Sequence, residues 1–173
     1  KDQEKAVQLA TKIINSFDKK YEEKWLNMMR NKLGLFGADN KDKFLILDLL
    51  TWMHQKKVDY TNTFCHLMKF KVQEEKNFQD KLFKDWKKRW NERLVINNNS
   101  IEKSIALMRT VNPLVIPRND KVEETLNLAN KNNFKMLFEF LEILKTPYEE
   151  LKNTYKYQIP NENNKEYKTF CGT

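Results

Sequence analysis

The sequence predicts an all-α protein: a single helical domain of about seven helices, followed by an irregular C-terminal tail. Three observations carry that expectation. Only 3 Gly and 4 Pro occur in 173 residues, whereas sandwiches and barrels use both residue types in their many turns. Hydrophobic residues make up 40% and aromatics 12%, enough for a core and too rich in aromatics for a disordered chain. Apolar residues recur at steps of three and four, the pattern of one buried helix face. No segment reads as a strand and connections are short, so one domain is expected over 1–154 and a tail over 155–173.

The elements follow in order. Over 2–33 the apolar set is Val7, Ala10, Ile14, Phe17, Tyr21, Trp25 and Met28, one stripe of a helix or of two helices broken near Asn15-Ser16. Gly34 and Gly37 end it, the first as a C-cap residue. Asp39 or Asn40 caps a helix reaching Lys56-Lys57, with Phe44, Leu47, Leu50 and Met53, or the adjacent Leu49 and Trp52, facing inward. Asp59 or Thr61 starts a helix to about Phe70 that buries Phe64, Leu67 and Met68. Phe78, Leu82, Trp86, Trp90 and Leu94 recur every four residues, with Lys and Arg between them.

Ser100 caps the next helix, which Asn112-Pro113 stops because the residue before proline avoids the α region. Leu114 to Pro117 is expected to be extended. Asp120 and Glu123 suggest a capping box for a helix to about Lys131, burying Val122, Leu126 and Ala129. Phe134, Phe138, Leu141 and Leu144 line another helix. Thr146-Pro147 with Glu149 should open a short helical turn. From Tyr155 the periodicity dissolves. Trp25, Trp86 and Trp90 are expected in the core.

Composition narrows the chemistry. Lys and Arg number 32 against 24 Asp and Glu, a net charge of +8. Nucleic acid, an acidic partner or an anionic membrane could use such a surface. Acids interleave with the lysines, however, as on solvated helix faces, so nucleic acid is not the expected partner. No apolar run approaches a membrane span and no secretory signal is visible. The cytosol is therefore the expected compartment. The chain opens at Lys1 directly into helical pattern, which suggests a fragment or a processed form.

Nucleotide loops need glycines where backbone meets phosphate, and Gly34, Gly37 and Gly172 cannot form one. The sequence positions of His54 and His66 do not suggest a nucleophile–base pair. Adjacent acid pairs such as Glu123-Glu124 diverge on a helix. Cys65 and Cys171 are too few for a disulfide framework, and no CxxC pair anchors zinc. No catalytic, cofactor-binding or metal-ligating residue is therefore assigned to this segment.

Two stretches go beyond periodicity. One joins Lys32-Leu33-Gly34-Leu35 to Asp59-Tyr60-Thr61-Asn62-Thr63-Phe64. The other is Asn112-Pro113-Leu114-Val115-Ile116-Pro117-Arg118-Asn119, with Val122-Glu123-Glu124 after it. Pro147-Tyr148 and a closing Thr169-Phe170-Cys171-Gly172-Thr173 follow. In this order they resemble the C-terminal part of the selenoprotein O family, over nearly the whole chain.

The resemblance implies a kinase-like pseudokinase fold in the full-length protein and an AMPylase activity. AMP would pass from ATP to Ser, Thr or Tyr hydroxyls of substrate proteins, with a divalent metal, Mg or Mn. The family's nucleotide, metal and catalytic residues lie N-terminal to the region matched, and none maps here. This segment would buttress the catalytic lobe, its own missing N-terminal portion, and hold a redox tail. Cys171 stands where members carry a redox-active Cys or selenocysteine, but without a second sulfur or selenium nearby. The resemblance implies pairing with a cysteine in the catalytic portion. The motif residues Asp59, Thr61, Asn112, Pro113, Pro117, Arg118 and Asn119 also have structural readings, as caps, stiffeners and a donor to carbonyls or a carboxylate. The alternative is a standalone basic helical module that binds nucleic acid or an acidic protein.

Overall fold

The structure is a computed structural model that describes residues 2–72, 75–96 and 100–160. Among these lie α1 (Asp2–Asn15), α2 (Phe17–Lys32), α3 (Asp42–Lys56), α4 (Tyr60–Leu67), a 3-10 turn (Glu75–Gln79), α5 (Lys81–Leu94), α6 (Ile101–Val111), α7 (Asn119–Ala129), α8 (Lys135–Lys145) and α9 (Thr154–Gln158). The described residues contain no strand, so the all-α expectation holds. The first apolar run is two helices. Ser16 separates them, and its hydroxyl donates back to the Ile13 carbonyl at 2.8 Å, a bond that bends helices.

Helix starts follow local chemistry. Asp59, Asp80 and Ser100 cap α4, α5 and α6 through bonds from the amides of Asn62, Leu82 and Lys103. Helix ends share one device. After α2 the Gly34 amide bonds Asn31 O and the Leu35 amide bonds Arg30 O, the paired bonds of a Schellman motif with a left-handed residue between helix and exit. The same pairing recurs after α3, α4 and α7, with Lys57, Lys69 and Asn132 in the left-handed position.

The chief helix contacts are α3 on α5, α2 on α6 and α3, and α7 on α8. Gly34 marks the closest approach: a Cβ there would lie 2.6 Å from Ser104 O on α6. The core holds Met29, Leu33, Leu35, Leu45, Ile46, Leu49, Trp52 and Phe64, among others. Through its centre runs a ladder of rings from Trp90 to Trp86, Phe83 and Phe78, with His66 stacked on Phe78 at 3.8 Å. Both indoles are satisfied: Trp86 donates to Leu45 O at 2.8 Å and Trp90 to Leu33 O at 2.9 Å.

Several faces differ from expectation. In α3 the alternative holds: Leu49 and Trp52 are buried with Leu45, Ile46 and Met53, while Phe44 and Leu47 are exposed. In α5 the helix begins at Lys81, so Phe78 lies in the preceding turn. Phe83 fills the place expected of Leu82, which is exposed. In α8 the core takes Met136, Phe140 and Ile143 and leaves Phe134, Phe138 and Leu141 outside. In α7 Thr125 is buried and Leu126 exposed. Both α7 and α8 carry apolar residues on more than one face, so the face is chosen by the tertiary partner rather than by periodicity.

The expected capping box at Asp120 is absent, because α7 starts at Asn119 with Arg118 before it. Thr146–Glu149 forms a turn, not a helix, closed by the Glu149 amide on Thr146 O. Residues 155–158 of the expected irregular tail belong to α9, and Tyr157 is fully buried against Phe140 at 4.8 Å between rings. Trp86 and Trp90 are buried, but Trp25 is only partly so. Val7, Ile14, Phe17, Tyr21 and Met28 are exposed, so the outer stripe of α1 and α2 meets no other described element.

Candidate functional site

Asp59 and Arg118 meet at one junction, where the start of α4, the segment 112–118 and α9 come together. Asp59 is the hub. Its carboxylate accepts from the Asn62 amide at 2.8 Å, closing the N-terminus of α4. The same carboxylate takes Arg118 in a two-pronged pair, Nη1 to Oδ2 at 2.8 Å and Nη2 to Oδ1 at 2.9 Å. Both side chains are largely shielded from water. The planar fork of arginine suits this geometry where lysine would not. Arg118 immediately precedes α7, so one ion pair binds the starts of two helices.

Asn112 ties two helix ends. Its side-chain nitrogen donates to Lys32 O at 2.8 Å, at the end of α2, and to Met108 O at 3.0 Å, a carbonyl that also accepts the Asn112 backbone amide at 2.9 Å. Pro113 ends α6 and offers its carbonyl to the Cys65 thiol at 3.9 Å. The Leu114 amide donates to Pro147 O at 2.6 Å, which joins this segment to the link between α8 and α9. Thr61 sits half-buried in the first turn of α4, while Pro117 and Asn119 are exposed. Cys171 lies outside the described residues.

Behind the junction lies Cys65. Burial, and next the Asp59 charge, push its thiol up to about 12, with Arg118 and Lys32 countering in part. A thiol so placed stays protonated and unreactive. Gln158 on α9 donates to its sulfur at 3.9 Å, and Asn62 donates to Gln158 O at 3.2 Å. Lys32 stands over the rings of Tyr60 and Phe64, at 5.3 and 4.6 Å from their centroids. Burial lowers its ammonium below the ordinary lysine range.

A second polar network was not anticipated from sequence. Asp42 is fully buried and meets Arg93 Nε at 2.7 Å, Arg30 Nε at 2.6 Å and the Asp39 amide at 3.0 Å. Arg93 also donates to Phe36 O and Gly37 O. A signal existed: Arg93 lies three residues beyond Trp90, on the buried stripe of α5. Gln158 and Asn62 carried no comparable signal.

Each of these contacts joins one part of the chain to another. Among the described residues no group of three or more His, Cys, Asp or Glu is placed to hold a metal ion. None of their helices is long and apolar enough to cross a membrane. Fold and junction together define a helical scaffold whose distinctive residues fasten its elements to one another.

The comparisons give the scaffold its family. Residues 4–145 match the model of the family described as protein adenylyltransferase SelO. A protein nucleotidyltransferase YdiU of Pelagibacter ubique is 44% identical over 173 residues, covering 99% of this chain and 36% of that protein. The protein of the same description from Nitrosococcus oceani is 42% identical over 172 residues, covering 98% of this chain and 35% of its own length. One from Clostridium perfringens is 42% identical over 171 residues with the same shares. The chain belongs to the SelO family. It spans about a third of the length of the curated relatives it matches.

Proposed function

We propose that this chain is the non-catalytic helical portion of a longer cytoplasmic protein adenylyltransferase. In the full-length protein a substrate hydroxyl of Ser, Thr or Tyr attacks the α-phosphorus of ATP. The new O–P bond retains AMP and pyrophosphate leaves. ATP and its Mg or Mn bind in the portion that this chain does not span. The segment described here buttresses that catalytic portion. Cys171 would pair with a cysteine there and make the tail sensitive to oxidation.

One observation carries the reading: the match takes in nearly all of this chain but only about a third of its relatives. Of the motif residues in that third, Asp59, Asn112, Pro113 and Arg118 are engaged in internal ties. Basic α5 does not favour a nucleic-acid role, because Trp86 and Trp90 face the core, leaving no stacking platform among its cations.

Calorimetry and labelled-ATP transfer test the reading. The full-length protein should bind Mg-ATP or Mn-ATP and label protein hydroxyls with AMP, and the 173-residue chain should give no saturable heat. Micromolar ATP binding by the chain itself would move the active site into this segment and overturn the assignment.

A further inference from the structure

We propose that the outer stripe of α1 and α2, centred on Phe17 and Tyr21, is the surface on which the rest of the full-length protein docks. The proposal rests on the reading of this chain as part of a longer nucleotidyltransferase, and it names the surface that reading requires. Val7, Ala10, Ile14, Phe17 and Tyr21 follow one another at steps of three and four, a stripe about 20 Å long at helical rise. Phe17 and Tyr21 stack on each other with centroids 6.0 Å apart, and both are about 60% exposed. No residue of α1 is buried. From Trp25 onward α2 turns into the body, with Trp25 and Leu26 partly covered and Met29 and Leu33 buried.

The apolar stripe of this arm is therefore patterned for burial and left exposed, while Lys43 of α3 reaches the arm through its ion pair with Glu22. An isolated helix of this length is marginal in water, and helices in proteins owe their stability to packing of the apolar face. Contiguous exposed apolar surface of this kind marks an interaction site. Its charge selects the occupant. Residues 2–24 hold five acids and five lysines, so the arm has no net charge. Anionic lipid and nucleic acid both require a cationic face, whereas an apolar protein surface does not. The arm lies inside the stretch matched to the family from residue 4. Relatives built on that family model are nearly three times as long as this chain. The missing two thirds is the protein surface that fits.

Hydrogen exchange on the full-length protein, read peptide by peptide, tests this. The amides of 3–24 should exchange roughly a hundredfold slower than an unprotected helix. A Phe17→Ser, Tyr21→Ser double variant should lose that protection while α5 peptides remain protected, which shows that the body is still folded. Unprotected arm amides in the unaltered protein would overturn the proposal, as would full protection retained in the double variant. Protection lost when an oligomer is diluted to monomers would also overturn it, since a second copy would then be the occupant. AMP transfer is scored on the same sample. Transfer with an unprotected arm sinks the docking surface alone; a protected arm without transfer sinks the adenylyltransferase reading alone.

Discussion

Asp42 carries two arginines on one buried carboxylate. Burial alone would raise its carboxyl; the hydrogen bonds from Arg93, the Asp39 amide and Arg30 more than reverse that and hold it below the ordinary range. A depressed carboxyl stabilises the fold at pH values above its unfolded value and ceases to do so as the pH falls through the folded value. Thermal unfolding should therefore show a loss of stability setting in below about pH 4, and Asp42→Ala should remove that acid-dependent component. Because the variant leaves Arg93 buried without its counter-charge, it should cost about 3–5 kcal/mol in urea denaturation. Cys65 gives a second test at this scale. Its raised thiol and full burial predict negligible native labelling by iodoacetamide and rapid labelling after denaturation. Rapid native labelling would contradict the structure around the junction. No local rule predicts the burial of Asp42, because the arginines that pair with it lie 12 positions before it and 51 after.

Helix ends carry more of this fold's information than helix faces do. Gly34 combines a positive φ of 69° with the close approach to Ser104 O, so Gly34→Ala meets both a disfavoured backbone region and a clash. It should destabilise by at least about 1–2 kcal/mol. Lys57 holds the equivalent position after α3 at φ 54° and is exposed. Lys57→Gly removes the left-handed penalty and adds unfolded-state freedom, so a net gain of about 0.5–1 kcal/mol is expected from denaturation midpoints. Part of the capping chemistry is readable: Asp59, Ser100 and Gly34 each sit where the sequence places them, whereas α3 follows Lys41 with no side-chain cap instead of the expected Asp39 or Asn40. Faces were harder. In the run Lys135-Met136-Leu137-Phe138-Glu139-Phe140-Leu141 apolar residues are nearly adjacent, and two stripes satisfy the same period. Only the neighbour across the interface, here Tyr157 of a helix too short to show a period, decides between them. The motif residues were recognisable as a set, but the pairing of Asp59 with Arg118 spans 59 positions and no local rule supplies it.

At the scale of the molecule, one aromatic column joins elements that are distant in sequence, and its removal tests the core. Trp86 touches Phe83 and Trp90 and anchors α5 to α3 through the Leu45 carbonyl. Trp86→Ala should cost on the order of 3–5 kcal/mol, measured by chemical denaturation. A variant of unchanged stability would refute the packing. The same column has an optical consequence. Trp86 and Trp90 lie 6.0 Å apart with their planes 10° from parallel, close enough for their excited states to couple and for excitation to hop between them. Folded protein should therefore show a strong near-ultraviolet dichroism band and depolarised tryptophan emission. Both signals collapse when side-chain packing is lost, even where helices persist, so the molecule carries within its core a spectroscopic gauge of its own tertiary order.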